Sequence, residues 1–209
     1  MPFDLLLAYV AASTALLLIP GPTVVLVLSY ALSKGRSVAV ASAAGVAFGD
    51  LVAMTASLAG LGALVLTSAT LFTALKWVGA VYLIWLGIKL IRSAPTAGPS
   101  LPESYDVTGR HVFGHTAAVT ALNPKSIAFF IAFVPQFITP GTPLLPQFSI
   151  LVATFVGLAA LNAFAYALLA VRILQFIKRP SILIWITRAG GATLVSMGIL
   201  TATLRRSTP

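Results

Sequence analysis

Cysteine is absent from this chain and acids nearly so: its 209 residues include no Cys, two His and four Asp plus Glu. Without cysteine there is no disulfide and no thiolate metal site, while the compartment stays open. A hard cation wants several carboxylates, and the apolar runs of this chain offer one, Asp50. Charge of either sign is scarce, at 8% of residues, against roughly 25% in an ordinary soluble domain. No charge at all interrupts the stretch from Leu5 to Ser33. The N-terminus lacks a basic n-region and carries Asp4 instead, so its long apolar run is expected to be a retained first span and not a cleaved signal peptide. No P-loop is present. His111 and His115 both fall beside the polar link that follows the third apolar run, so no nucleophile and base meet within the spans, and an enzyme is not expected.

What is there is hydrocarbon: 59% of residues are hydrophobic and the mean hydropathy is +1.03. This is the composition of an integral membrane protein. A spanning helix needs about 20 apolar residues, so the chain has room for about six and for no appreciable soluble domain. The runs lie at 5–32, 39–66, 72–92, 113–137, 147–171 and 181–204. No stretch keeps the polar alternation of a barrel strand, so the fold class is all-α. Links carrying Lys34 and Arg36, then Lys89, Arg92 and Arg110, then Arg172, Lys178 and Arg179 alternate with uncharged links at 67–71 and 138–146. The positive-inside rule makes the charged links cytoplasmic and places both termini outside, although Arg205 and Arg206 run against that orientation. The net charge of +9 is then a matter of topology and of contact with anionic lipid headgroups, not of nucleic acid.

Pro20-Gly21-Pro22 sits in the middle of the first run, where two prolines and a glycine break a helix. The Pro-, Gly- and Ser-rich stretch 93–109 separates two halves. Laid side by side, the halves pair Gly45 with Gly157, Asp50 with Asn162, Lys76 with Arg188, Gly79 with Gly191 and Pro22 with Pro124. Three spans per half is an odd number, so the second copy must be inverted. The expected organisation is one membrane domain: a first three-helix repeat at 1–92, a cytoplasmic linker at 93–112 and a second repeat at 113–209. Broken helices at matching positions of inverted repeats mark the substrate site of many secondary transporters. Here these are the first and fourth, broken at Pro20, Gly21 and Pro22 and at Asn123, Pro124 and Lys125.

Asp50 lies about twelve residues into its run and Lys125 about as far into the fourth, near mid-depth at about 1.5 Å per residue. A charge there costs at least about 2.5 kcal/mol and seeks a partner, which makes Asp50 and Lys125 the expected couple. Asn162 can donate and accept, and suits a helix contact or a substrate contact. Gly45, Gly49, Gly79, Gly157 and Gly191 read as helix-packing positions. Lys76 and Arg188 read as interface anchors, and Trp77, Tyr82 and Trp85 as packing or belt aromatics. His111 and His115, four apart, read as a solvated pair and not a metal site, since a third ligand would have to come from Glu103 or Asp106.

Taken together, "IPGPT", "GVAFGD", "KWVGAVYLIWLGIKLIRS" and "ALNPKSIAFFIAFVPQF" resemble the LysE/RhtB family of bacterial amino-acid exporters, in order and over essentially the whole chain. The resemblance implies a six-span exporter in the bacterial cytoplasmic membrane, driven by the membrane gradient without ATP. The family's functional aspartate falls on Asp50, its Asn-Pro-Lys on Asn123, Pro124 and Lys125, and its Pro-Gly-Pro on Pro20, Gly21 and Pro22. Some relatives place an acid shortly after the Asn-Pro, where this chain has Phe129 and Phe130, which favours a Lys125–Asp50 pair. The expected mechanism is alternating access. Helix breaks offer N–H groups to the substrate carboxylate and free carbonyls to its ammonium, and Asp50 binds the ammonium or a proton. Expected partners are a small amino-acid substrate, protons and membrane lipid, with a homodimer left open and no cofactor. Neutral substrates such as threonine, homoserine or leucine come before basic ones. A metal or inorganic-cation exporter is the alternative.

Overall fold

A computed structural model describes residues 1–19, 21–34, 38–67, 69–92, 108–139, 142–177 and 180–203. Among them there is no strand. The chain runs through α1 (Phe3–Leu18), α2 (Pro22–Lys34), α3 (Ala39–Thr67), α4 (Ala69–Arg92), α5 (Gly109–Ala121) and α6 (Pro124–Ala128). A π-helical turn (Phe129–Phe133) and a 3-10 turn (Val134–Phe137) continue α6, and α7 (Leu144–Leu168), α8 (Ala170–Ile177) and α9 (Pro180–Thr203) follow. Among the described residues each apolar run is therefore helical, with starts at Ala69, Gly109 and Leu144 that fall three or four residues before the expected ones, and with one early end. The fifth helix stops at Leu168, and Leu169, at φ −97° and ψ 9°, separates it from α8. No proline or glycine marks that stop.

Among the described residues, α3 and α7 suffice by length and composition to cross a membrane, and up to four spans result if each bent pair, α1 with α2 and α5 with its continuation, is one span. At 24 residues each, α4 and α9 are long enough. The linker at 93–107, with Glu103 and Asp106, lies outside the described residues, as do Arg36, Lys178, Arg179, Arg205 and Arg206 and the side chains of Lys34 and Lys76.

Both breaks follow from the same local rule. The residue before a proline is pushed from helical to extended backbone. Ile19, before Pro20, adopts φ −70° and ψ 117°, and Asn123, before Pro124, adopts φ −71° and ψ 110°. Proline is also at home in the first turn of a helix, where its missing N–H has no partner to lose, and α2 begins on Pro22 and α6 on Pro124. The axes bend by 58° at the first break and 42° at the second. Pro20 itself lies outside the described residues.

α3 packs on α5 and α7, and α4 on α9. A Cβ at Gly45 would collide with the Thr116 hydroxyl, and one at Gly49 would lie 2.5 Å from the Ala117 carbonyl oxygen. Gly79 abuts Ala132, and a Cβ on Gly191 would lie 2.6 Å from the Gly87 carbonyl oxygen. Gly157 differs from the expectation of helix packing: it points outward, with nothing within 4 Å of an added Cβ. Trp77, Trp85 and Arg188 also face outward, and the Lys89 ammonium sits 5.0 Å over the Trp85 ring. The densest apolar packing is aromatic. Phe129 and Phe130 are fully buried against Phe155, at 5.8 and 4.8 Å between centroids, and Tyr9 meets Phe137 edge-on at 5.1 Å.

Candidate functional site

A helix end leaves its last four carbonyls without backbone donors, and in a membrane only side chains, water or ligands can supply them. At the end of α1 side chains reach the carbonyls of Leu16 to Ile19, of which Leu16 also accepts the Ile19 N–H at 3.2 Å. The Lys125 ammonium donates to the Leu16 carbonyl at 3.1 Å and the Ile19 carbonyl at 3.0 Å. Asn162 Nδ2 donates to Leu17 at 3.2 Å, and the Tyr166 hydroxyl to Leu18 at 3.3 Å. A cation at a helix C-terminus also complements the macrodipole. Gly21 lies beside it, and an added Cβ would stand in ordinary contact, 3.5 Å from Lys125 Nζ.

The second break is tied to the first through Asn123. Its Oδ1 accepts from the Lys125 N–H at 3.1 Å, capping α6, while its Nδ2 donates to Thr23 Oγ1 at 3.2 Å. Thr120 Oγ1 lies 3.4 Å from the same Thr23 oxygen. Since that oxygen already accepts from Asn123, the two hydroxyls share one bond between two hydrogens. Whichever way it runs, one hydrogen remains to donate elsewhere.

Between the breaks, α3 and α7 lies a small, partly open cavity. Asp50, Thr23, Thr120, Asn123, Lys125, Ser126, Asn162 and Tyr166 supply its polar lining, and Val24, Val27, Val46 and Ala159 stand among its apolar walls. Asp50 is 2% exposed, and its Oδ1 has no hydrogen-bond partner among the described residues. A buried carboxylate oxygen without a donor is costly, so it marks a place where something else is meant to bind.

Four of the residues singled out in the sequence thus share one cavity: Asp50, Asn123, Lys125 and Asn162. Gly21, Pro22 and Pro124 act through backbone, and Pro124 itself is exposed. Two expectations change. Lys125 and Asp50 line the same space but make no ion pair here, because the donor-starved carbonyls of α1 hold the ammonium. For the same reason those carbonyls are not free. Thr23, Thr120, Ser126 and Tyr166 went unrecognised in the sequence. Tyr166 stands one helical turn beyond Asn162, on the same face, and that i,i+4 spacing was its available signal. The other three flank the two proline motifs. His115 Nδ1 lies 2.7 Å from the Tyr30 hydroxyl, away from the cavity, with His111 beside it at 6.0 Å between ring centroids.

The family model of the LysE type translocators matches residues 14–205. A homoserine/homoserine lactone efflux protein of Salmonella typhimurium is 36% identical over 207 residues, covering 99% of this chain and 100% of that protein. An uncharacterized membrane protein of Vibrio cholerae is 33% identical over 98% of this chain and 100% of its own length. A leucine efflux protein of Klebsiella pneumoniae is 31% identical, covering 65% of this chain and 66% of its own. No solved structure matches. With its paired proline breaks and with relatives that align from end to end, this multi-pass membrane protein belongs to the LysE type translocator family.

Proposed function

We propose that the protein is a secondary-active exporter of neutral amino acids that works by alternating access around this cavity and exchanges its substrate for protons. One observation carries the reading: a single buried and unpartnered carboxylate, Asp50, shares a cavity with the ends of two broken helices. The names of the relatives, which speak of homoserine, homoserine lactone and leucine efflux, point the same way. Asp50 takes a proton or an ammonium group in alternation, and the substrate ammonium binds in the cavity that Asp50 shares with the end of α1. The substrate carboxylate faces the start of α2, where the helix dipole and the spare hydroxyl hydrogen of the Thr23–Thr120 pair favour an anion. Val24, Val27 and Val46 offer the side chain an apolar wall, and with Asp50 engaged the cavity has no second acid for a basic side chain. One carboxylate is also too few for a hard-cation site.

The architecture that goes with this reading is six spans in two inverted repeats, 1–92 and 113–209, joined by a cytoplasmic linker. It is supported by the matched breaks at Ile19 and Asn123 and by the packing of corresponding helices, α3 on α7 and α4 on α9. In the orientation set by the charged links, the aromatic cluster of Phe129, Phe130 and Phe155 would stand on the side of the cavity toward the outside. The π-helical turn beside that cluster is the natural place for a hinge. Single cysteines in this Cys-free chain test the orientation. Those at Ser33 and Thr108 are expected to react only from the cytoplasm and one at Thr142 from outside; the reverse pattern would invert the topology.

Proteoliposomes test the function. Vesicles holding the protein are expected to exchange labelled homoserine or leucine without ATP, faster when a proton gradient opposes the amino acid. Amino acids blocked at the amine or the carboxylate are not expected to compete, because a site built to pair with a group rejects the analogue that lacks it. Exchange that survives collapse of the gradient would remove proton coupling. Equal competition by blocked and free amino acids would remove the proposed site.

A further inference from the structure

We propose that Lys125 is a tethered stand-in for the substrate's ammonium group: it occupies the α1 carbonyls while the site is empty and leaves them for Asp50 when an amino acid arrives. This rests on the amino-acid reading given above. The α1 carbonyls fall into two kinds. Those of Leu16 and Ile19 converge on one ammonium at 3.1 and 3.0 Å, which is how a primary ammonium with three donors is held. Those of Leu17 and Leu18 are held by neutral groups, Asn162 and Tyr166. The end of α1 is therefore a cation seat with fixed neutral walls and one charged occupant, and that occupant hangs on a flexible four-carbon stem.

Asp50 is the other half of the device. Its Oδ1 is buried in the same cavity and lacks a donor. A static brace would be expected to satisfy that oxygen, since breaking or omitting the partner of a buried charge is costly. An exchange of partners accounts for both ends. When a substrate ammonium enters the Leu16–Ile19 seat, the displaced Lys125 ammonium reaches Asp50, and the count of charges in the cavity stays balanced. When the substrate leaves, Lys125 returns, so an empty carrier does not present a bare carbonyl cluster to stray cations. Binding of substrate and pairing of Asp50 thus become one event, which is what obligatory exchange requires.

The test uses methylammonium, the smallest ion with a primary ammonium of the lysine kind. In purified Lys125→Met, methylammonium chloride is expected to raise the thermal unfolding midpoint by several degrees over choline chloride, which cannot donate hydrogen bonds. The wild type, whose seat is filled, is expected to respond equally to both salts. Amino-acid binding to Lys125→Met is expected to be about tenfold tighter than to wild type, since no internal competitor has to be displaced, while exchange in vesicles is lost. If Lys125→Met does not fold, Lys125→Gln, with one donor group left, serves the same comparison. No difference between methylammonium and choline in the variant, or the same difference in wild type, would overturn the stand-in. Methylammonium stabilisation of the variant together with no amino-acid exchange by wild type would instead keep the stand-in and remove the amino-acid reading.

Discussion

Asp50→Asn is expected to abolish exchange, down to the rate of empty vesicles, in a protein that still inserts and folds. The two halves of that expectation have separate causes. Asparagine keeps the size of the side chain and removes a charge that costs at least about 2.5 kcal/mol at mid-depth, so the folded state loses nothing and its unfolding midpoint stays level or rises. The Oδ1 of Asp50 holds no partner that the change would break. What disappears is the ability to carry a proton or to pair with an ammonium, and on the proposed mechanism each transport cycle needs both. Exchange rates and unfolding midpoints measured on the same preparation separate these effects. Exchange at the wild-type rate would take Asp50 out of the mechanism, and a large fall in the midpoint would make it a structural residue.

The largest effect on stability is expected at Gly49. A Cβ there would lie 2.5 Å from the Ala117 carbonyl oxygen, 2.8 Å from Thr120 Cβ and 3.0 Å from the Ala121 nitrogen. These are mostly backbone atoms of α5, which cannot step aside without moving the helix. Gly49→Ala is therefore expected to cost about 1–3 kcal/mol, the usual range for overpacking. Transport is expected to suffer more than stability, because α5 carries Thr120 and leads directly into Asn123. Gly157→Ala is the internal control. Nothing lies within 4 Å of its added Cβ, and alanine is favoured over glycine inside a helix by roughly 0.5–1 kcal/mol. Its midpoint is expected to hold or rise. Equal losses at both glycines would contradict the close approach of α3 to α5.

Composition and local sterics account for several features directly. Helices in the apolar runs follow from hydropathy, and the two breaks follow from proline sterics that act on the residue just before, so Ile19 and Asn123 turn extended whatever surrounds them. Asp50 and Lys125 stood out because charge is so rare in these runs. The four motifs sufficed to indicate the family.

Approach between segments far apart in the chain is not legible in this way. Gly49 and Gly157 look alike as letters, yet one meets α5 backbone and the other faces outward. Lys125 was expected on Asp50, and it bonds instead to carbonyls more than a hundred residues away in the chain. Backbone groups carry no side-chain letter, so a sequence shows that a break frees carbonyls but not which side chain will reach them. Asn162 and Tyr166 take two of those carbonyls, and Thr23 joins Asn123 and Thr120 across the paired breaks. These contacts depend on the 58° and 42° bends that bring the helix ends together, and a bend angle is settled by packing against neighbouring helices, which local sequence does not encode.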